Sequence, residues 1–169
     1  MNLYIGYGLT ILNYIFYCTS RFQKDKKSIL FLDLIAKFCT VIALYCLNSL
    51  TGSYIMCLKF LIDIVCYTKE DKNLKLSALY WIFQIVFILI LWNTYIGISS
   101  VLVFLCSSIT LLANWWLPPQ YMRISSAVGS GFYLAYQISI SNWAGLLEII
   151  AFASNVSAYL KYKNYPMGE

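Results

Sequence analysis

Seven apolar stretches, each near the length that crosses a bilayer, follow one another along this chain with only short polar breaks between them. A hydrocarbon core about 30 Å thick takes roughly 20 helical residues, and within it each backbone polar group must be satisfied inside the protein. The stretches at about 3–19, 28–47, 53–68, 75–92, 99–117, 124–140 and 143–160 are therefore expected to be membrane-spanning helices. The third is the weakest, because Lys59 and Asp63 interrupt it. Only 11% of the 169 residues are charged and 61% are apolar, whereas soluble domains carry about 25% charge. A soluble chain of this length has too little interior for that much apolar surface. Met1 to Ser20 has neither a basic start nor a small-residue cleavage site, so it reads as a retained first span.

The loops between these stretches alternate in charge. Arg21, Lys24, Lys26 and Lys27 fill the first, Lys69, Lys72 and Lys75 the third, Arg123 the fifth, and Lys161 and Lys163 follow the last span. The second, fourth and sixth loops carry no basic residue. Cytoplasmic loops are the ones enriched in Lys and Arg, so the pattern predicts an outside N-terminus and a cytoplasmic C-terminus. That requires an odd number of spans, and seven places every basic loop on one side.

Spans one to three and five to seven show a faint correspondence. Asn13-Tyr14 resembles Asn114-Trp115, and Tyr45 with Gly52 resembles Tyr136 with Gly145. Asp63 lies eleven residues past Gly52, and Asn155 ten past Gly145. Two three-span units of like orientation need an odd linker span between them, and span four supplies it. The expected fold is thus an all-α integral membrane protein of seven helices in a 3+1+3 arrangement. Its segments are a first bundle over 1–72, a linker helix over 73–98, a second bundle over 99–163 and a tail over 164–169.

Polar residues inside these spans are the candidate functional groups, since an ionisable side chain at mid-membrane costs about 2.5–3.5 kcal/mol on the insertion scale. Asp33 with Lys37, and Lys59 with Asp63, are four apart and can pair within one helix, or can face a solute. Glu148 has no partner at helical spacing, and a contact with Lys59 from the other half is one expectation. Glu148 and Asn155, seven apart, share a helix face that reads either as a solute-facing stripe or as a packing pair. Asn13, Asp63, Asn114 and Asn155 are expected to ring a central cavity, with Tyr14, Trp115 and Trp116 capping it. Trp92, Trp143, Tyr4 and Tyr162 are assigned to the membrane interface. Gly129, Ser130, Gly131, Ser125 and Ser126 give span six a small-residue face for close packing.

Span five ends in Trp115-Trp116-Leu117-Pro118-Pro119-Gln120. Proline donates no backbone N–H, so Pro118 frees the carbonyl of Asn114 and Pro119 that of Trp115. In a membrane such carbonyls must find new partners, which makes Pro118, Pro119 and Gln120 a candidate hinge.

Trp116-Leu117-Pro118-Pro119-Gln120, followed by Arg123 and Ser125-Ser126, resembles the signature of the PQ-loop group, which includes the SWEET sugar carriers, with one extra proline. Over nearly its whole length the chain is more similar to the YgjV-like inner-membrane proteins of bacteria. The residues that carry this likeness are Phe22-Gln23-Lys24-Asp25-Lys26-Lys27, Leu44-Tyr45-Cys46-Leu47 with Thr51-Gly52, and Trp143-Ala144-Gly145 with Glu148 and Asn155. Ile62-Asp63 stands where that group tends to carry Arg-Asn, and the first half has no Pro-Gln pair. The resemblance implies a 3+1+3 helical fold, an outside N-terminus and a central cavity walled by both bundles.

The leading functional expectation is a carrier or facilitator of a small polar solute working by alternating access in the inner membrane. The alternative is a non-transporting receptor, assembly or immunity-type protein with a packed centre. The chain has no His, no HExxH, no P-loop and no G-x-S-x-G, and its six cysteines stand singly in apolar runs. It is therefore not expected to be an enzyme or to hold a metal or cofactor. The lipid bilayer is the expected partner, with a small polar solute and a second copy of the chain as further candidates and no nucleic acid. Any ion coupling falls to Asp63 or Glu148, since the commonest proton relay is missing.

Overall fold

The computed structural model describes residues 3–72 and 77–163. Lys75, the start of the linker segment at 73 and the tail 164–169 lie outside the described residues, as does the side chain of Lys72. The described residues form seven α-helices: α1 (Leu3–Arg21), α2 (Lys26–Cys46), α3 (Leu50–Lys72), α4 (Ser77–Thr94), α5 (Ile98–Trp116), α6 (Pro119–Ser139) and α7 (Glu148–Tyr162). A 3₁₀ turn, Trp143–Leu147, leads directly into α7. Five segments are long and apolar enough to cross a membrane: Lys26–Cys46, Leu50–Glu70, Ser77–Thr94, Ile98–Trp116 and Trp143–Tyr162. The helices α1 and α6 are not in that set. In α6 the residues that lower its apolar character, among them Gln120, Arg123, Ser126, Ser130 and Gln137, are buried inside the protein.

Local chemistry sets the helix ends. Asp25 stands in extended conformation before α2, and its carboxylate accepts from the Ser28 N–H at 2.7 Å, the usual N-cap contact. The α2–α3 turn closes when the Ser49 N–H donates to the Leu44 carbonyl at 3.0 Å, with Asn48 left-handed at φ 58°. The α6–α7 turn repeats this 93 positions later. The Asn142 N–H donates to the Gln137 carbonyl at 2.9 Å, and Ser141 is left-handed at φ 57°.

The two prolines act differently from a simple break. Leu117 is extended, as a residue before proline is pushed to be, and Pro118 and Pro119 then open α6. Helix six therefore starts at Pro119 rather than near 124, because proline's fixed φ suits the first helical position. Arg123 is consequently not a loop residue: it sits in α6, buried. The Trp115 carbonyl freed by this turn accepts from Lys69 Nζ at 2.9 Å, a partner supplied by α3.

Packing closes a ring. The helix α1 packs on α2 and α7, α2 on α3, α3 on α5, α5 on α6, and α6 on α7. Exchanging α1, α2 and α3 for α5, α6 and α7 leaves this set of neighbours unchanged. Helix lengths agree in two of the three pairs, with 19 residues in both α1 and α5 and 21 in both α2 and α6, whereas α3 has 23 and α7 has 15. The helix α4 lies outside the ring against α3 and α5 and buries only Tyr80 and Phe87. Trp81, Ile82, Ile85, Ile88, Leu89 and Trp92 on α4 are exposed, as a helix apolar on all sides requires of its solvent, here lipid.

Candidate functional site

Within the ring lies a partly open cavity of about 70 Å³. All six ring helices line it: Asn13, Tyr14 and Tyr17 from α1, Lys37 and Thr40 from α2, Met56 and Lys59 from α3, Cys106 and Thr110 from α5, Ser126, Gly129, Ser130 and Tyr133 from α6, and Glu148 from α7. Gly129 lets α6 approach α5 closely, since a Cβ there would come within 3.2 Å of Thr110. Glu148 occupies the first turn of α7, where the helix dipole favours a negative charge.

Polar groups from every ring helix stand in walls that are otherwise mostly apolar, and they are unevenly satisfied. Among the described residues, none supplies a hydrogen-bond partner to the buried hydroxyls of Tyr14, Ser130 and Tyr133. The Tyr14 and Ser130 hydroxyls neighbour the Glu148 carboxylate without closing on it in hydrogen-bond geometry. Each such orphan costs about 1–3 kcal/mol, so the cavity surface favours a guest that hydrogen-bonds. Glu148 and Lys59 are 5% and 6% exposed, and among the described residues neither closes an ion pair.

The other buried charges are paired, and not as helical spacing suggested. Asp33 pairs with Arg21 of α1 instead of Lys37, and Lys37 pairs with Asp63 of α3. The residues share faces as predicted, but each face meets a neighbouring helix that offers a shorter reach. Arg21 Nη1 also donates to Ser126 Oγ at 3.2 Å, and its guanidinium lies 4.4 Å from the Tyr17 ring centre. Arg21 thus backs two cavity-lining residues from opposite halves of the chain. Arg123 donates to the carbonyls of Arg21 and Gln23 at 3.1 and 2.7 Å. Gln120 Nε2 donates to the Tyr162 carbonyl, and the Tyr162 hydroxyl donates to the Phe22 carbonyl at 3.0 Å. These contacts bind the basic ends of α1, α6 and α7 together.

Of the residues picked out from the sequence, Asn13 and Glu148 line the cavity. Asp63, Asn114 and Asn155 stand behind its wall instead of on it. Asn114 Nδ2 donates to Asp63 Oδ1 at 3.0 Å, behind Lys37, and Asn155 Nδ2 donates to the Tyr17 hydroxyl at 3.1 Å. Tyr14 lines the cavity, but Trp115 is buried against Tyr80 and Phe83, and Trp116 packs on Tyr80 near the surface. Trp92, Trp143 and Tyr4 are widely exposed, whereas Tyr162 is buried under Arg123 and is no interface anchor. Glu148 and Lys59 share the cavity without the ion pair expected between them, although each lies within electrostatic range of the other. Arg21 and Arg123 were missed as interior groups. The signal was available in the shortness of the turns at 22–25 and 117–118, which draws a helix-end side chain back over its neighbour.

Among the described residues, no three His, Cys, Asp or Glu side chains are grouped to hold a metal ion. No curated protein and no solved structure matches the chain. Residues 4–165 match the family Imp-YgjV, described as bacterial inner membrane protein. That match spans all seven helices, and a lipid-facing α4 and a polar-lined ring are what membrane residence demands of them. The chain therefore belongs to the Imp-YgjV family and is a multi-pass protein of the bacterial inner membrane.

Proposed function

We propose that this protein is a carrier or facilitator of a small polar solute. In this reading α1–α3 and α5–α7 are two parallel three-helix units joined by α4, with the N-terminus outside and the C-terminus in the cytoplasm. The observation that carries it is the cavity to which every ring helix contributes a polar side chain. Sites of this kind, at the meeting of two repeats, are where transporters built from parallel repeats bind their cargo.

The cavity volume says what must move. At about 70 Å³ it has room for roughly two waters, while ligand sites run to about 300–1,000 Å³. In this reading the cavity must widen to take its solute, which enters when the α1–α7 or the α3–α5 contact parts. The Pro118-Pro119-Gln120 turn serves as the hinge. Its freed Trp115 carbonyl and the Gln120 amide are held by side-chain contacts to α3 and α7, which can be exchanged without breaking a helix.

A second reading, a non-transporting membrane protein, draws on the same small volume and on the closed Arg21–Asp33 and Lys37–Asp63 pairs. A thermal-shift screen of the purified chain against small polar metabolites separates the two, because a ligand of the folded state raises its melting temperature. The carrier reading expects hits that disappear in Asn13→Ala or Glu148→Gln. Hits that survive both substitutions would put the site elsewhere, and a panel without any hit favours the second reading.

A further inference from the structure

The charges left unpaired define a narrower cargo. Of the buried and part-buried ionic side chains of the ring, Arg21, Asp33, Lys37 and Asp63 are taken up by each other, and Arg123 by the carbonyls of Arg21 and Gln23. Lys59 and Glu148 are not, and they carry opposite charges into one cavity from α3 and α7. A buried charge without a partner is unfavourable, so a guest that supplies the complement is held strongly. A neutral polyol would satisfy the Tyr14, Ser130 and Tyr133 hydroxyls yet leave Lys59 and Glu148 without a close ion pair. A simple anion would meet Lys59 but be repelled by Glu148, and a simple cation the reverse. Only a molecule with both signs, spaced by a short link, answers both groups.

We infer that the solute is a small zwitterion whose carboxylate is received by Lys59 and whose ammonium group is received by Glu148. This rests on the carrier reading above. The carboxylate arrives as a partner for the ammonium of α3. The guest's ammonium then sits at the first turn of α7, against the carboxylate, with the Tyr14 and Ser130 hydroxyls beside it as further acceptors. The small cavity favours compact members of the class, those with the least bulk between and around the two charges.

The test uses the full chain in nanodiscs, with glycine and alanine as zwitterions, acetate and methylammonium as their charged halves, and glycerol as a neutral control. Glycine or alanine should raise the melting temperature, and acetate and methylammonium should do so at least about tenfold more weakly in apparent affinity. Lys59→Met and Glu148→Gln should each abolish the zwitterion effect. The comparison of whole and half ligands on the unsubstituted chain stands even where a variant fails to fold. Equal responses to glycine and glycerol, or zwitterion binding untouched by both substitutions, would overturn the inference. Glycerol flux into proteoliposomes without alanine flux would remove the zwitterion and keep the carrier. If no panel member binds or crosses, both fall.

Discussion

The α2–α3 and α6–α7 corners of the ring are built alike and differ in charge. The α2–α3 and α6–α7 turns are closed by the same hydrogen bonds, with Asn48 and Ser141 in the same left-handed state. Gly52 and Gly145, again 93 apart, both press on α6, one against Tyr136 and the other against Gln137. Yet Asp33 and Lys37 of α2 correspond to Ser126 and Ser130 of α6 at that same spacing. Arg21 bridges one such pair of positions, binding Asp33 on one side and Ser126 on the other. Turn chemistry and close approach fix the helix frame, so they are held in common. The polar groups are free to diverge, and the first half has become ionic while the second is mostly hydroxyl and amide. Lys59 and Glu148 are where that asymmetry reaches the cavity.

The largest way to break this comparison is at Arg21. Arg21→Met leaves Asp33 buried without its partner and should cost about 3–5 kcal/mol in unfolding experiments. Adding Asp33→Asn should recover much of it, while Ser126→Ala alone should cost only about 1 kcal/mol. Equal effects at Asp33 and Ser126 would mean that the ionic half is not ionic in consequence. Next in size is the glycine pair. A methyl at Gly145 meets the Cβ and Cγ of Gln137 near its backbone, whereas at Gly52 it meets the Tyr136 hydroxyl at the end of a side chain. Gly145→Ala should lower stability by about 1–3 kcal/mol, and Gly52→Ala by less. The smallest effect is at the turns. Ser141→Gly relieves a left-handed residue and should gain up to about 1 kcal/mol, while Asn48→Gly should be close to neutral, because asparagine tolerates that conformation. Melting temperatures of the two variants, measured side by side, check this.

How much of this was legible in the sequence differs by level. Apolar stretches report directly on helices, and each of the seven expected spans coincides with one. The start of α6 was misplaced because Pro118 and Pro119 were read as breakers only, although proline opens a helix as readily as it ends one. At the 93-residue offset of the two turns Gly52 meets Gly145, whereas Tyr45 misses Tyr136 by two positions: the carbonyl of Ala43 closes the turn as that of Tyr136 does. The ion pairs were misassigned for a general reason. Spacing along one helix says which side chains share a face, and it is silent about which neighbour that face meets. Asn13 and Glu148 reached the cavity because polar side chains of a spanning helix turn away from lipid. Asp63 found closer partners in Lys37 and Asn114 and stayed behind the wall.

The central claim is that the cavity between the halves opens to each side of the membrane in turn. Cys106 lines that cavity and is buried. With the other five cysteines replaced by serine or alanine, Cys106 can be offered a small, membrane-impermeant thiol reagent in right-side-out and in inverted vesicles. The account predicts modification from both faces, slowed by a bound solute. Modification from one face only, or from neither while the unfolded chain reacts fully, would contradict it.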